Sequence, residues 1–325
     1  MTGLKLHSFR FSAMGTRCLL HVYALSREEA EHSFAGAAAE VERIEARYSR
    51  YRHESDLSII NRVAEAGGVI EVDAETAGLL DYAFAAHKRS AGLFDITSGL
   101  LRRAWDFRSG RLPEQAALDR LLPRVGLEKL RWDAPFLRFT RPGMELDFGG
   151  LCKEYAADRA AAACRDRGAL HGLVELGGDI RVIGPHPDGR PWSIGIRHPR
   201  SAESLSTTAS LGEGGLATSG EYERCIEIGG RRYGHILHPA TGWPVSGLAS
   251  VSVIADECLL AGAVCTIAML MGESGKVWLR DLSVPHMWID EQAAAGRWRW
   301  PSREHELQER EALAAAVSRC ISLPV

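Results

Sequence analysis

From residue 171 the chain becomes a succession of short apolar runs, HGLVEL, DIRVIG, WSIGIR, STTASL, LATSG and LASVSVIA, punctuated by Gly, Pro or Asp. Runs so short and so interrupted read as strands. CIEIGGRRYGHIL reads as a hairpin turning at Gly229-Gly230. The first half has a different texture. Two strands flank Met14-Gly15-Thr16, and Ser26 with Glu29 fits a capping box that opens a helix running to about Arg47. SDLSIINR (55–62), AETAGLLDYAFAAHKRSA (74–91) and TSGLLRRAW (97–105) carry helical patterns, whereas LRFT and MELDF read as short strands. Helices first and strands later, without strict alternation, imply an α+β fold of mixed or antiparallel sheets packed with helices, not a doubly wound parallel sheet. No repeat or linker divides the chain. The expectation is one domain over 1–325, helix-rich to about 170, strand-rich over about 171–300, and closed by a charged amphipathic helix at about 302–320.

Composition removes several classes of function. The 325 residues are 46% hydrophobic and 25% charged, with a net charge of −3, an ordinary balance with ample length for a core. No basic block marks a nucleic-acid surface. Lys5, Arg10 and Arg17 interrupt the apolar residues of the N-terminus, so no signal peptide is legible there. CLLAGAVCTIAMLMG is too short to span a bilayer. Seven cysteines without a CxxC pair read as reduced thiols. The expected protein is cytoplasmic, with no membrane insertion.

Chemistry concentrates in four places. In LDFGGLCKEYAADRA, Gly149 and Gly150 allow close backbone approach, Lys153 stands at the mouth of a helix, and Gly168 is placed to stop it. Free N–H groups with a lysine can hold a phosphate or diphosphate, although the spacing is not that of a Walker loop. The alternative is a tight turn with a solvated lysine. In LVELGGDIRVIG, the pair Gly177-Gly178 reads as a bend, and Asp179 either caps backbone amides or meets a ligand. Thr218, Ser219 and Gly220 put two hydroxyls and a flexible joint at a strand end. His235 falls on a run that reads as a strand, just before the turn formers Pro239 and Gly242. On the small-residue helix from Cys258 to Met271, Gly262 and Thr266 share a face. A helical threonine alone most often bonds its own backbone.

Taken in order, these stretches resemble the FAD:protein FMN transferase (ApbE) family. The landmarks are MGT at 14–16, YSRYRHESDLSIIN at 48–61, FDITSGLL at 94–101, LDFGGLCKEYAADR at 146–159, ELGGDI at 175–180, TSGEYER at 218–224 and HILHPATGWP at 235–244. The resemblance implies an FAD cleft and Mg2+-assisted cleavage of the FAD diphosphate. FMN would pass to a threonine hydroxyl of a target flavoprotein, releasing AMP. It also implies that Met14, Tyr48, Ser55, Asn61, Thr97, Glu175, Asp179 and Ser219 shape the flavin and nucleotide pocket, together with the glycines Gly149, Gly150, Gly177 and Gly178. Lys153 would face the diphosphate, and His235 would act as base or orienter for the acceptor hydroxyl.

The departures from the family pattern are specific. The family helix carries an aspartate four residues before its threonine, and both ligate the metal with a backbone carbonyl from the loop. Here Thr266 is present, the aspartate position is Gly262, and the carbonyl would be that of Cys152. Where the family commonly has Lys-Gly, this chain has Lys153-Glu154. The expectation is that Glu154 supplies the missing carboxylate, as a hard oxygen ligand; the alternative is that it pairs with Lys153 or points into water, leaving the metal site impaired. Glu175 replaces a common asparagine, and His238 a common aspartate. Two other readings stand beside the transferase: an FAD pyrophosphatase giving FMN and AMP, and a non-catalytic FAD-binding protein.

Overall fold

A computed structural model of the chain describes residues 3–107, 109–221 and 225–298. The expected helix at 302–320 and the EYER part of TSGEYER beyond Glu221 lie outside the described residues. In chain order the first elements are β1 (Lys5–Ala13), β2 (Thr16–Ala24), α1 (Arg27–Tyr48), α2 (Asp56–Ala66), β3 (Val69–Glu71) and α3 (Ala74–Arg89). A 3-10 helix (Ser98–Arg103), α4 (Gln115–Leu121), β4 (Leu130–Asp133), β5 (Phe136–Phe139) and α5 (Cys152–Asp166) follow. The remainder is β6 (Gly172–Leu176), β7 (Asp179–Gly184), β8 (Trp192–His198), β9 (Ser201–Leu211), β10 (Gly215–Gly220), β11 (Cys225–Ile228), β12 (Arg231–Gly234), β13 (Leu248–Ala255), α6 (Cys258–Met271), α7 (Glu273–Leu282), β14 (His286–Asp290) and β15 (Ala295–Arg297). The class is α+β.

The chain forms two compact units, each assembled from three separate segments, which is why no linker is legible in the sequence. The first takes the chain up to Ser49, Gly149–Thr218 and Ser252–Cys265. Its strands lie in the order β1-β2-β6-β7-β10-β13. Two-residue hairpin loops fix the register. Met14 and Gly15, both at positive φ, join β1 to β2. Gly177 and Gly178 join β6 to β7, again with both residues at positive φ. Primed turns of this kind match the twist of antiparallel strands. The pair at 177–178 is therefore demanded by the backbone, as a bend.

The other face of these strands carries β8 and β9, with Trp192, Ile194 and Leu211 packed on Leu173, Ile180, Val182 and Leu216. Helix α1 starts as its capping signal predicts, with the Glu29 amide donating to Ser26 Oγ at 3.1 Å. Helix α5 presents the fully buried Ala156, Ala157, Ala160 and Ala161, side chains small enough for close packing, and Gly168 at φ 85 ends it.

The second unit takes Arg50–Phe148, Ser219–Val251 and the residues from Thr266 on. Leu100, Leu101, Trp105, Leu118, Leu121, Ile226 and Leu237 form one of its cores. β3, β5 and β4 make a small antiparallel sheet. Three expectations need correction here. The helix expected over TSGLLRRAW is confined to Ser98–Arg103 and is of the 3-10 type. MELDF is not a strand: it is an extended loop held by Asn61, whose Oδ1 accepts the Leu146 amide at 2.7 Å and whose Nδ2 donates to the Leu146 carbonyl at 2.9 Å. The third concerns His235, which lies past the end of β12 and is exposed. Among the described residues, no helix is long and apolar enough to cross a membrane.

β14 carries a buried histidine. His286 donates from Nδ1 to the Val284 carbonyl at 2.7 Å, and burial holds its pKa below the ordinary imidazole value. A folded-state pKa lowered in this way gives stability that is present above the unfolded value, about 6.5, and lost as pH falls through the folded one. Thermal melts between pH 7 and pH 5 are expected to show a smaller loss of Tm for His286→Asn, whose amide can replace the Nδ1 donor, than for the wild type.

Candidate active site

In the first unit, the mouth of α5 brings together Lys153, Glu154 and Asp179. Lys153 Nζ lies 2.5 Å from Asp179 Oδ2. Asp179 is 1% exposed, and its Oδ1 accepts the Thr218 amide at 3.2 Å. The aspartate therefore caps an amide, one of the two roles open to it from the sequence, and pairs with the lysine. The Gly177 amide donates to the Arg17 carbonyl at 3.0 Å. A Cβ on Gly177 would fall 2.5 Å from Thr16 Oγ1. The hairpin tip that carries Met14 thus sits against the tip that leads into Asp179.

Gly149 and Gly150 are exposed. A Cβ on Gly150 would meet nothing within 4 Å, and Gly150 is not among the positive-φ glycines. The fold does not require glycine at 150, and the space is open for a ligand to approach the backbone. No side chain caps the start of α5.

Glu154, in the first turn of α5, is 7% exposed. Its carboxyl is pushed up to about 7, first by burial and then by Asp179, with Lys153 opposing. Its Oε2 is buried without a hydrogen-bond partner. Glu175, half-buried on β6, is raised as well, by burial and then by Asp179. Cys152, the expected carbonyl donor, is buried at the first position of the helix.

One turn after Glu154, Asp158 receives the Cys258 and Leu259 amides, both at 2.9 Å, and so caps the start of α6. Sequence reading missed this residue, although its four-residue spacing from Glu154 places both acids on one helix face. Burial raises its pKa more than the two amides lower it. Asp158→Ala leaves two amides unpaired and is expected to cost about 2 kcal/mol by chemical denaturation. Asp158→Asn, keeping one acceptor, should cost less.

In the second unit, three expected pocket residues hold backbone. Ser55 Oγ accepts the Ser58 amide at 3.0 Å as the cap of α2. Asn61 secures Leu146, as described above. Thr97, fully buried, donates to Asp95 Oδ1 at 2.6 Å and accepts the Gly126 amide at 2.7 Å. Each of these groups bonds a loop or helix start of the second unit and so fixes the local backbone. Ser219 Oγ lies 3.2 Å from Thr266 Oγ1.

His235 opens a loop fixed by His238 N–H to the Trp243 carbonyl at 2.8 Å, Val245 N–H to the Ile236 carbonyl at 3.0 Å, and Trp105 Nε1–H to the Gly242 carbonyl at 2.8 Å. Such a loop holds an exposed imidazole in place. Asp147 is bound by Arg50 at 2.7 Å and by Arg102. Of the two tyrosines in YSRY, Tyr48 is 5% exposed, in the first unit's core, whereas Tyr51 is 77% exposed with the Arg50 guanidinium 4.8 Å from its ring centroid. The aromatic surface available for stacking belongs to Tyr51. Sequence reading named Tyr48 alone, and the difference in exposure between the two rings is set by packing.

A sequence profile of the ApbE family matches residues 14–288. The chain belongs to the ApbE family. The FAD:protein FMN transferase of Haemophilus influenzae is 30% identical over 241 residues, covering 71% of this chain and 70% of that protein. The enzyme of the same description from Vibrio cholerae is 30% identical over 239 residues, covering 72% and 71%. The ApbE protein of Thermotoga maritima superposes with a TM-score of 0.81 at 30% identity, covering 93% of this chain and 99% of that one. Every landmark quoted from the sequence falls inside the ApbE match. The departures at Glu154, Glu175, His238 and Gly262 are therefore features of an ApbE chain, not signs of a different family.

Proposed function

We propose that this ApbE chain is an FAD:protein FMN transferase, moving FMN from FAD to a threonine hydroxyl of a target flavoprotein. The observation that carries the reading is the mouth of α5, where an exposed glycine pair, an uncapped helix start and a positioned lysine lie together. The curated relatives named above bear the same activity in their names.

The acceptor oxygen bonds to the phosphorus of the FMN half, and the bond from that phosphorus to the bridging oxygen breaks. AMP leaves with the oxygen and its electron pair, and the acceptor proton passes to His235. Phosphoryl transfer needs mainly positioning and charge neutralisation. Lys153, oriented by Asp179, and the first amides of α5 supply fixed positive potential for the diphosphate. His235 is the base.

The residues present also fit a hard divalent cation such as Mg2+, because a buried carboxylate oxygen of Glu154 lacks a hydrogen-bond partner. Glu154, the Cys152 carbonyl and Thr266 would hold it. A bound cation neutralises charge on the departing phosphate.

The test is an acceptor flavoprotein domain incubated with enzyme, FAD and Mg2+, followed by intact-mass measurement. The reading expects one FMN per acceptor and none on the acceptor with its threonine changed to valine. Free FMN with an unmodified acceptor would establish the pyrophosphatase instead.

A further inference from the structure

Gly262 lies within α6, where glycine costs about 1 kcal/mol relative to alanine. Its φ is not in the left-handed region, so the backbone does not call for it. The neighbour does. A Cβ on Gly262 would fall 2.6 Å from Glu154 Cγ, 2.8 Å from its Oε1 and 2.9 Å from its Cδ. The carboxylate of α5 fills the volume that any side chain at 262 would need. It does so while buried, with Oε2 unpartnered, and an uncompensated buried carboxylate is costly. Lys153 is already engaged by Asp179. The space, the burial and the orphaned oxygen together call for a cation on Glu154.

We infer that Glu154 and Gly262 are a single exchanged pair: the carboxylate that ligates the divalent cation is delivered from α5, and Gly262 is the space that admits it. The inference rests on the reading above that a divalent cation binds here. It adds that positions 154 and 262 are mutually exclusive, so that only one of them can carry the acid. Thr266, one turn along the same face of α6, keeps its place in either arrangement.

The experiment titrates the full-length protein with Mn2+, read by the electron paramagnetic resonance of free Mn2+, alongside thermal melts with and without Mg2+. The wild type is expected to bind Mn2+ and to gain Tm with Mg2+. Glu154→Gln, similar in volume, should bind at least about tenfold more weakly and lose the Mg2+-dependent gain. Gly262→Asp alone should lower Tm, because two carboxylates then contend for one volume. Glu154→Gly combined with Gly262→Asp should recover both Tm and Mn2+ binding.

Unchanged Mn2+ affinity in Glu154→Gln, absence of Mn2+ binding by the wild type, or a folded double variant that fails to bind would each overturn the pairing. The two readings fail separately. Flavinylation by a wild type whose metal affinity ignores Glu154 sinks the exchange alone. Glu154-dependent Mn2+ binding without AMP release from FAD sinks the transferase alone.

Discussion

Lys153→Met is expected to slow AMP release from FAD by about 100- to 1,000-fold, the usual loss when one fixed stabilising group is removed from a transition state. Methionine keeps the unbranched apolar stem and removes the terminal ammonium with its charge and donors. The lysine also has a structural role, since its amine is the ion partner of Asp179, a carboxylate at 1% exposure. Stranding that charge is expected to cost about 3 kcal/mol, so a loss of rate in the single variant could reflect folding. Lys153→Met with Asp179→Asn separates the two effects. Asparagine keeps an acceptor for the Thr218 amide and leaves no unpaired charge. The double variant should regain Tm and remain slow. If it regains the rate as well, Lys153 does no more than neutralise its neighbour.

The second large effect concerns the acceptor. His235→Ala should slow FMN transfer to protein by about 100- to 10,000-fold, the range for a positioned general base, and leave FAD affinity unchanged. The geometry makes this a selective prediction. His235 is exposed at the start of a loop whose shape is set by Trp105, Gly242, Trp243 and Val245, so truncating it removes chemistry without undoing the turn. His238, three residues on, accepts the Ala240 amide on Nδ1 at 3.2 Å and serves the turn itself. His238→Asn, able to keep that bond, should retain transfer. Equal losses in both variants would move the role from His235 to the loop as a whole.

What could be read in the sequence was set by local rules. Met14-Gly15, Gly177-Gly178 and Gly229-Gly230 appear as turns in the sequence and are turns in the fold, because positive φ at two successive positions is a property of the local chain. Ser26 marks its helix for the same reason. The mouth of α5 was legible down to Lys153.

The illegible features depend on partners from distant segments. MELDF has the composition of a strand, but the amide of Asn61 occupies the backbone groups that a strand would pair. Asp179 reads equally as an amide cap or a ligand contact, and the bond from the Thr218 amide is seen only in the fold. Tyr48 and Tyr51 differ only in which one packing covers. Gly262 reads as a loss until the Glu154 carboxylate is found in its space. In each case sequence supplied the residue type and tertiary packing supplied the direction.

The central claim is that this chain cuts FAD and passes the FMN half to protein. The most direct measurement is the ratio of AMP released to acceptor flavinylated, taken from one reaction of the purified enzyme with FAD, Mg2+ and an acceptor domain. The account predicts equal amounts of the two, with neither formed once the cation is chelated. AMP accompanied only by free FMN, or no AMP under any divalent cation, would contradict it.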